Sequence, residues 1–269
     1  MILLIPMALA APEDSYLNSN DRAWAIQPKL EIGFLAPFSN EIQLGKNGTT
    51  FDYVEEGGEN NLFRYTRWEI NFRNDRHMLG LLFQPFDVTT RAIAQRELTF
   101  DNVVIPEGTP MSYRYGFDYY RGTYSYDLIK DPKREFGIGC ALQIRNATLD
   151  FISLNGEYQN SNRDIGPVPL FHMQGRFPIP NDRWWGFTAD GAYAPIKYLN
   201  GDSSDVVGAL LDTNLAAGFR LNRGVDVSLG VRYIGGGAEG TEREPDPGKD
   251  GYVSNWLHLG VLNLGLGLR

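Results

Sequence analysis

The stretch that decides the fold runs from Asp205 to Ile234 and reads DVVGALLDTNLAAGFRLNRGVDVSLGVRYI. In its first arm, every second position is apolar or carries a threonine: Val207, Ala209, Leu211, Thr213, Leu215, Ala217 and Phe219. The positions between them include Gly208, Asp212, Asn214, Gly218 and Arg220. After a short polar turn, the second arm alternates in the same way at Val225, Val227, Leu229, Val231 and Tyr233. A period of two residues is that of a β-strand, so the stretch predicts a hairpin of two strands.

Similar alternating segments run through the whole chain. The arms of the hairpin exceed the roughly five or six residues usual for a strand, and they suit the roughly 9–11 residues that a tilted strand needs to cross a bilayer. The predicted strands lie near 24–38, 61–73, 77–90, 111–128, 134–153, 165–179, 183–198, 205–222, 225–236 and 252–269. Between them, short spacers such as Asn74–Arg76 alternate with long ones such as Ser39–Asn60.

This rhythm predicts an all-β fold, a transmembrane antiparallel β-barrel of about ten strands, with eight or twelve as the alternatives. Short turns would then face the periplasm with both termini, and the long loops would be extracellular. Acidic residues gather in two of the long loops, at Asp52–Glu59 and Glu239–Asp250. The long loops are large enough to present a binding surface or to fold over the barrel mouth. We interpret their acidic residues as solvated charge, and the alternative is that they bind divalent cations shared with lipopolysaccharide.

Alternation alone does not show which face of the barrel meets water, because a soluble lipocalin-like barrel would point its apolar set inward. The polar set is rich in glycine and in charges of both signs, as a filled polar interior requires, and the segments are long. Aromatic residues also gather toward strand ends, as at a membrane interface: Trp24, Phe38, Trp184, Trp185, Tyr198, Tyr233, Tyr252 and Trp256. These features favour the membrane. A mean hydropathy of −0.31 agrees with a barrel, because its alternating faces average out.

Two places in the strands break the simple alternation. In the fourth strand, Phe117 and Tyr124 differ in parity, which predicts a β-bulge at Tyr119-Tyr120 if both face lipid. A second slip is expected near Arg145-Asn146. The sixth strand carries Pro167, Pro169 and Pro178, which have no N–H to donate and suit strand ends or bulges.

The start of the chain predicts export. Met1–Ala10 resembles the apolar part of a signal peptide and ends in the small–x–small pattern Ala8-Leu9-Ala10, although a basic region is missing before it. We therefore expect a signal peptide at 1–10, a periplasmic segment at 11–23 and one barrel domain at 24–269. Cys140 is the only cysteine, which excludes an intrachain disulfide. The net charge of −8 provides no basic surface for nucleic acid.

The last strand, Trp256–Arg269, places Leu262, Leu264, Leu266 and Leu268 on one face. Together with the signal-like start and the alternation of long loops and short turns, it resembles the bacterial outer-membrane β-barrel superfamily, including its small OmpA-like and porin-like members. The resemblance covers nearly the whole chain but is architectural, so no functional residue is carried over. It implies an outer-membrane location, contact with lipid and lipopolysaccharide, insertion by the barrel-assembly machinery and a monomer. Members usually end in an aromatic residue, whereas this chain ends in Arg269.

No motif predicts catalysis, a cofactor or a metal site. His77, His172 and His258 lack any metal-ligand spacing. Glycine pairs such as those in Gly235–Gly237 do not join a strand to a helix, so they do not indicate a nucleotide-binding loop. We expect them to thin the inner wall of the barrel or to bend its strands. Neither a G-x-S-x-G nor an H-E-x-x-H motif occurs.

The candidate functional residues are charges that the alternation points into the barrel. They are Arg67, Glu69, Arg73, Arg145, Asp190, Asp212, Arg220, Asp226 and Arg232. In so narrow a lumen, opposite charges must pair or remain hydrated. We favour an ion-paired plug, and with it a non-enzymatic barrel with an envelope-structural or surface-interaction role. The alternatives are a narrow small-solute channel and a membrane-embedded enzyme, either a lipid A-modifying enzyme or a protease.

Overall fold

A computed structural model of the chain describes residues 24–129, 131, 133–195, 205–222, 224–242, 245 and 247–268. The predicted signal peptide and N-terminal segment, 1–23, lie outside these residues, as do Tyr198 and Arg269. No described residue is helical. Accordingly, no helix in the described ranges is long and apolar enough to span a membrane.

Fourteen strands are found in the described residues. They are β1 (Ala25–Leu44), β2 (Phe51–Asp52), β3 (Phe63–Asn74), β4 (His77–Gln84), β5 (Asp87–Ile93), β6 (Leu98–Phe100), β7 (Val103–Ile105), β8 (Pro110–Asp127), β9 (Glu135–Ser153), β10 (Gln159–Ile179), β11 (Arg183–Pro195), β12 (Val207–Asn222), β13 (Val225–Thr241) and β14 (Tyr252–Leu268).

The long strands form one antiparallel wall that closes on itself. Each pairs with the next along the chain, and β14 pairs with β1. β4 and β5 both pair with β8 in the same register, with Gln84 opposite Tyr119 and Asp87 opposite Gly116, so they form one wall strand interrupted after Gln84. Counted in this way, the described residues form a closed barrel of ten wall strands, which confirms the predicted fold. The short β6 and β7 make a separate hairpin, and β2 pairs with β1.

The β12–β13 hairpin shows which face is apolar. Leu215 and Val231 are 61% and 64% exposed on the outside of the barrel, whereas Asp212 and Arg232 are buried inside it. A soluble barrel would hide the leucines and expose the charges. Soluble monomers also rarely expose a continuous apolar belt of this kind, whereas a lipid-facing wall requires one.

The predicted bulge in the fourth strand, β8, is wrong. Its register with β9 runs unbroken from Met111 to Asp127, so Phe117 points inward and Tyr124 outward. The prediction failed because it assumed that Phe117 faces lipid, whereas the interior accepts aromatic side chains at this level. The ring of Phe117 lies 6.4 Å from Tyr115 and 6.0 Å from Tyr119, centroid to centroid.

The expected slip near Arg145-Asn146 is also wrong, because β9 keeps one register with both of its neighbours. Among the described residues, register shifts occur in other strands. One falls between Pro37 and Ser39 in β1, and one between Arg220 and Asn222 in β12.

At the end of the barrel that carries the long loops, the interior is filled with apolar side chains. We call this group the apolar core: Leu35, Ile42, Leu44, Phe51, Tyr53, Tyr65, Phe86, Val88, Ala94, Leu98, Phe100, Ile105, Met111, Tyr113, Tyr115, Leu149, Phe151, Ile234, Leu257, Leu259 and Val261. Phe51 of β2 lies at its centre, with its ring 4.8 Å from Tyr113 and 5.5 Å from Phe151. The loop between β1 and β3 is therefore folded into the barrel mouth.

This loop does not carry only solvated charge. Glu59, within the acidic stretch, is fully buried, and one of its carboxylate oxygens accepts a hydrogen bond of 2.8 Å from the side chain of Asn40. The other oxygen has no hydrogen-bond partner among the described residues. The preference for a solvated loop was wrong at this residue, because β2 brings the segment into the apolar core.

Candidate functional site

The centre of the lumen is occupied by one carboxylate that contacts three arginines. Asp212 of β12 is fully buried. Its oxygens lie 2.9 Å from the guanidinium of Arg67 on β3, 2.9 Å from Arg121 on β8 and 2.6 Å from Arg232 on β13. These strands belong to different parts of the wall, so the contacts cross the lumen.

Two further carboxylates complete the charge balance. Glu31 of β1 lies 2.9 Å from Arg232, and Asp190 of β11 lies 2.5 Å from Arg121. We call these six residues the central cluster: Glu31, Arg67, Arg121, Asp190, Asp212 and Arg232. Its three carboxylates balance its three guanidinium groups, and every member is at most 3% exposed.

Neutral side chains and partly buried neighbours supply further hydrogen bonds to the central cluster. The phenol of Tyr65 donates to Glu31 at 3.0 Å, and Lys29 lies 2.8 Å from the same carboxylate. Arg121 donates to the amide oxygen of Gln143, and a ring nitrogen of His172 lies 2.7 Å from Asp190. Charged groups buried in this way must be both paired and hydrogen-bonded to offset their loss of water.

Toward the end of the barrel with the short turns, a second set of polar contacts fills the lumen. Arg73 pairs with Glu135, which also accepts a hydrogen bond from Gln174. Arg176 lies 3.1 Å from Asp226, and its guanidinium carbon lies 3.6 Å from the centre of the Trp184 ring. The lumen is thus occupied by side chains from its centre to this end.

The structure brings four of the sequence-predicted residues together in the central cluster: Arg67, Asp190, Asp212 and Arg232. The other five lie elsewhere.

Arg73 and Asp226 belong to the contacts near the short turns, and Arg220 lies 4.0 Å from Asp226. Glu69 is half-buried and accepts a hydrogen bond from Asn71. Arg145 lines a cavity above the central cluster.

Sequence reasoning missed several residues of the lumen, and two of them belong to the central cluster. Arg121 was missed because the supposed bulge at Tyr119-Tyr120 reversed the parity beyond it. Glu31 could have been found, since it lies between the outward-facing Leu30 and Ile32 in the first strand. His172 has no metal-ligand spacing to another histidine, but its alternation with the outward-facing Phe171 indicates an inward position, where it is buried.

The three histidines have different surroundings. His172 is in the lumen, whereas His77 and His258 contact the phenols of Tyr124 and Tyr233 at 2.9 and 2.6 Å. No group of three potential metal ligands of the His, Cys, Asp and Glu types is found among the described residues.

A cavity of about 620 Å³ lies between the apolar core and the central cluster. Arg121 and Asp212 form its floor, and Tyr115 and Ile234 belong to its wall. The glycine run of β13 forms another part of the wall, where Gly236 has a φ of 144°. A Cβ atom at Gly236 would lie 2.2 Å from the carbonyl oxygen of Ala209, so glycine allows β13 to approach β12 here.

Glu59 is an ionisable group outside the wall strands, and its pKa is shifted. Burial raises the pKa of Glu59 to about 7, and the nearby Asp52 raises it further, against the opposing effect of the hydrogen bond from Asn40. Near neutral pH this loop carboxyl is therefore partly protonated.

Comparison with solved structures finds several proteins that are similar to this chain. The outer-membrane protease OmpT from Escherichia coli superposes with a TM-score of 0.51 at 11% identity, over 93% of this chain and 99% of that one. The attachment invasion locus protein Ail of Yersinia pestis gives 0.33 at 9% identity, over 90% and 99%. The toluene transporter TodX of Pseudomonas putida gives 0.35 at 8% identity, over 96% and 91%.

No family model matches the chain, and no curated protein matches it. At 11% identity, the similarity to OmpT supports the fold and carries no residue roles. The chain is a closed antiparallel barrel with the architecture of outer-membrane proteins.

Proposed function

We propose that this protein is a monomeric, non-conducting barrel of the bacterial outer membrane with an envelope-structural or surface-interaction role. The observation that carries the proposal is the central cluster, in which three arginines and three carboxylates span the lumen in a fully buried, charge-balanced arrangement. In a water-filled pore, such charges would line the wall and face the solvent.

The energetics of the central cluster oppose an easily opened pore. A solute or ion crossing the lumen would have to separate Asp212 from at least one arginine, and removing one partner of a buried pair typically costs about 3–5 kcal/mol. The apolar core adds a second closure toward the long loops. A pore would therefore require the rearrangement of two independent layers.

The apolar residues exposed on the outer face of the barrel support the proposed membrane location. Leucines, isoleucines and aromatic residues are exposed around the wall, and they suit the hydrocarbon of outer-membrane lipid and lipopolysaccharide. Burial of this belt would require the barrel-assembly machinery during insertion. The long loops would then face the exterior, where the envelope or a partner can contact them.

Location and orientation can be tested together by labelling with a thiol reagent that does not cross membranes. In a Cys140→Ala background, Glu107→Cys in a long loop should react in intact cells, whereas Lys133→Cys in a short turn should react only after lysis. Both side chains are exposed, so accessibility within the fold is matched. The reverse pattern would contradict the orientation, and equal labelling would contradict the membrane location.

Closure of the lumen to small solutes is tested by osmotic swelling of proteoliposomes in small sugars and amino acids. The proposal expects swelling at the rate of empty liposomes, with a porin as the positive control. Swelling that depends on the amount of protein would favour a small-solute channel. For the enzyme alternative, incubation with lipid A or with a denatured protein should leave the mass of each substrate unchanged.

A further inference from the structure

The wall contains a seam between β10 and β11. β10 pairs with β9 from Gln159 onward, and β11 pairs with β12 up to Pro195. Pairing between β10 and β11, however, covers a shorter stretch in the described chain. It begins with Ile179 opposite Arg183 and ends with Phe171 opposite Gly191. Beyond that point, toward the long loops, the described residues of the two strands share no ladder.

Proline contributes to this seam. Pro167 and Pro169 lie in the part of β10 that, among the described residues, pairs with β9 and not with β11. Neither has an N–H group, so neither can donate a ladder hydrogen bond to β11. The two prolines therefore favour the loss of pairing between β10 and β11 at the seam.

The cavity above the central cluster reaches this seam. It is lined by inward-facing residues such as Leu149 and Ile234, and also by Leu142, Pro167 and Pro169, which belong to the outward-facing set of their strands. The same cavity therefore touches both faces of the wall. Its opening lies where residues 167–170 of β10 and 192–195 of β11, both within the described ranges, share no ladder.

The surroundings of the opening are apolar. Phe171 and Tyr193 are 58% and 78% exposed on the outer face, and Leu142 and Leu211 are exposed beside them. In the proposed location these side chains contact hydrocarbon, so the opening faces lipid rather than water. The floor of the cavity is the central cluster, which closes the route toward the short turns.

From this geometry we propose that the cavity is a binding site for a hydrocarbon chain, which enters sideways from the bilayer through the seam. A volume of about 620 Å³ falls within the range of about 300–1,000 Å³ usual for small-molecule sites. The apolar wall selects a hydrocarbon over a polar solute. The inference uses the membrane location of the proposed function, but it does not depend on whether the lumen conducts.

The test uses methyl-labelled protein in lipid nanodiscs, observed by NMR, with stearic acid that carries a doxyl spin label near its methyl end. The methyl groups of Leu149 and Ile234, which line the cavity, should lose most of their intensity. Leu211, on the lipid face, should broaden in any case and shows that the probe is present. Leu35, in the apolar core away from the cavity, should remain sharp.

A matched sample replaces the fatty acid with phosphatidylcholine labelled on its acyl chain. Broadening of Leu149 and Ile234 in that sample identifies a membrane lipid as a source of the chain. Broadening with the fatty acid alone identifies a free acid. Either result supports the site.

Two variants that fill the cavity provide the control for binding. Ala192→Trp places a large ring at the inner side of the seam, and Ala147→Phe narrows the cavity from β9. Either variant, once shown to be folded by its NMR spectrum, should keep the Leu149 and Ile234 signals while Leu211 still broadens. Unchanged cavity signals in the parent protein, or equal loss at Leu35, would overturn the proposal without bearing on membrane location.

Discussion

Replacement of Asp212 by asparagine tests the central cluster directly, because it removes one charge and preserves the shape of the side chain. In the folded protein, Arg121 would keep Asp190 and Arg232 would keep Glu31. Among the described residues, Arg67 would keep hydrogen bonds to neutral side chains only, Gln84 at 3.3 Å and Tyr119 at 3.2 Å.

The expected loss of stability follows from the contacts that remain in this variant. Three guanidinium groups would face two carboxylates, which leaves one uncompensated positive charge in a water-poor lumen. Breaking a buried pair in this way typically costs about 3–5 kcal/mol. Because two of the three arginines retain a carboxylate, we expect Asp212→Asn to lower the free energy of unfolding by about 3 kcal/mol, near the lower end of that range.

The assay is reversible urea unfolding in lipid vesicles, followed by tryptophan fluorescence, with Glu107→Gln as the control. Glu107 is exposed in a loop, so its replacement should change stability by no more than about 0.5 kcal/mol. The double variant Asp212→Asn with Arg67→Gln removes the stranded charge, and it should recover part of the loss. Equal stability of Asp212→Asn and Glu107→Gln would refute the reasoning, because it would mean that Asp212 is hydrated.

Further predictions concern the outer wall, the loop carboxyl and the apolar core. Leu215→Arg should destabilise the folded barrel in bilayers by about 2–4 kcal/mol, whereas Leu221→Arg, near the short-turn end of the same strand, should cost about 0–1 kcal/mol; equal costs would contradict the assigned depth. Because burial raises the pKa of Glu59 to about 7, its stabilisation of the loop should be complete below the unfolded pKa and decline as pH rises through 7. After correction for the intrinsic rise of amide exchange with pH, the protection of the loop amides should therefore fall between pH 5 and 8 in the parent but not in Glu59→Gln, and an identical pH profile of protection in both would sink this idea. Phe51→Ala should lower unfolding stability by about 3–5 kcal/mol, as calorimetry in detergent can measure, and a loss below about 1 kcal/mol would show that β2 packs loosely.

The sequence predicted the wall well because lipid imposes a simple rule on it. Outward positions must be apolar along the whole span, so Leu211, Leu215, Leu229 and Val231 could be assigned from alternation alone, and all four are exposed. The strand count and the antiparallel order followed from the turns between these segments.

The side chains inside the barrel follow a less uniform rule, and the wrong predictions concern these inward-facing residues. Polar side chains fill its centre and one end, but aromatic residues fill the other end, so inward-facing Phe117 looked like a lipid-facing residue. That single assumption produced the false bulge and hid Arg121. The partners of each charge were also beyond reach, because Arg67 and Asp212 are 145 positions apart in the chain and meet only through the closure of the barrel.

The most direct measurement of the central claim is single-channel recording of the refolded parent protein in planar bilayers. If the central cluster and the apolar core close the lumen, the protein should insert without discrete conductance steps over a broad range of voltage. Asp212→Asn should also lack steps while it remains folded, since its effect is on stability. Discrete, ion-selective steps in the parent, shifted toward anions by Asp212→Asn with no loss of stability, would contradict the account and identify the barrel as a pore.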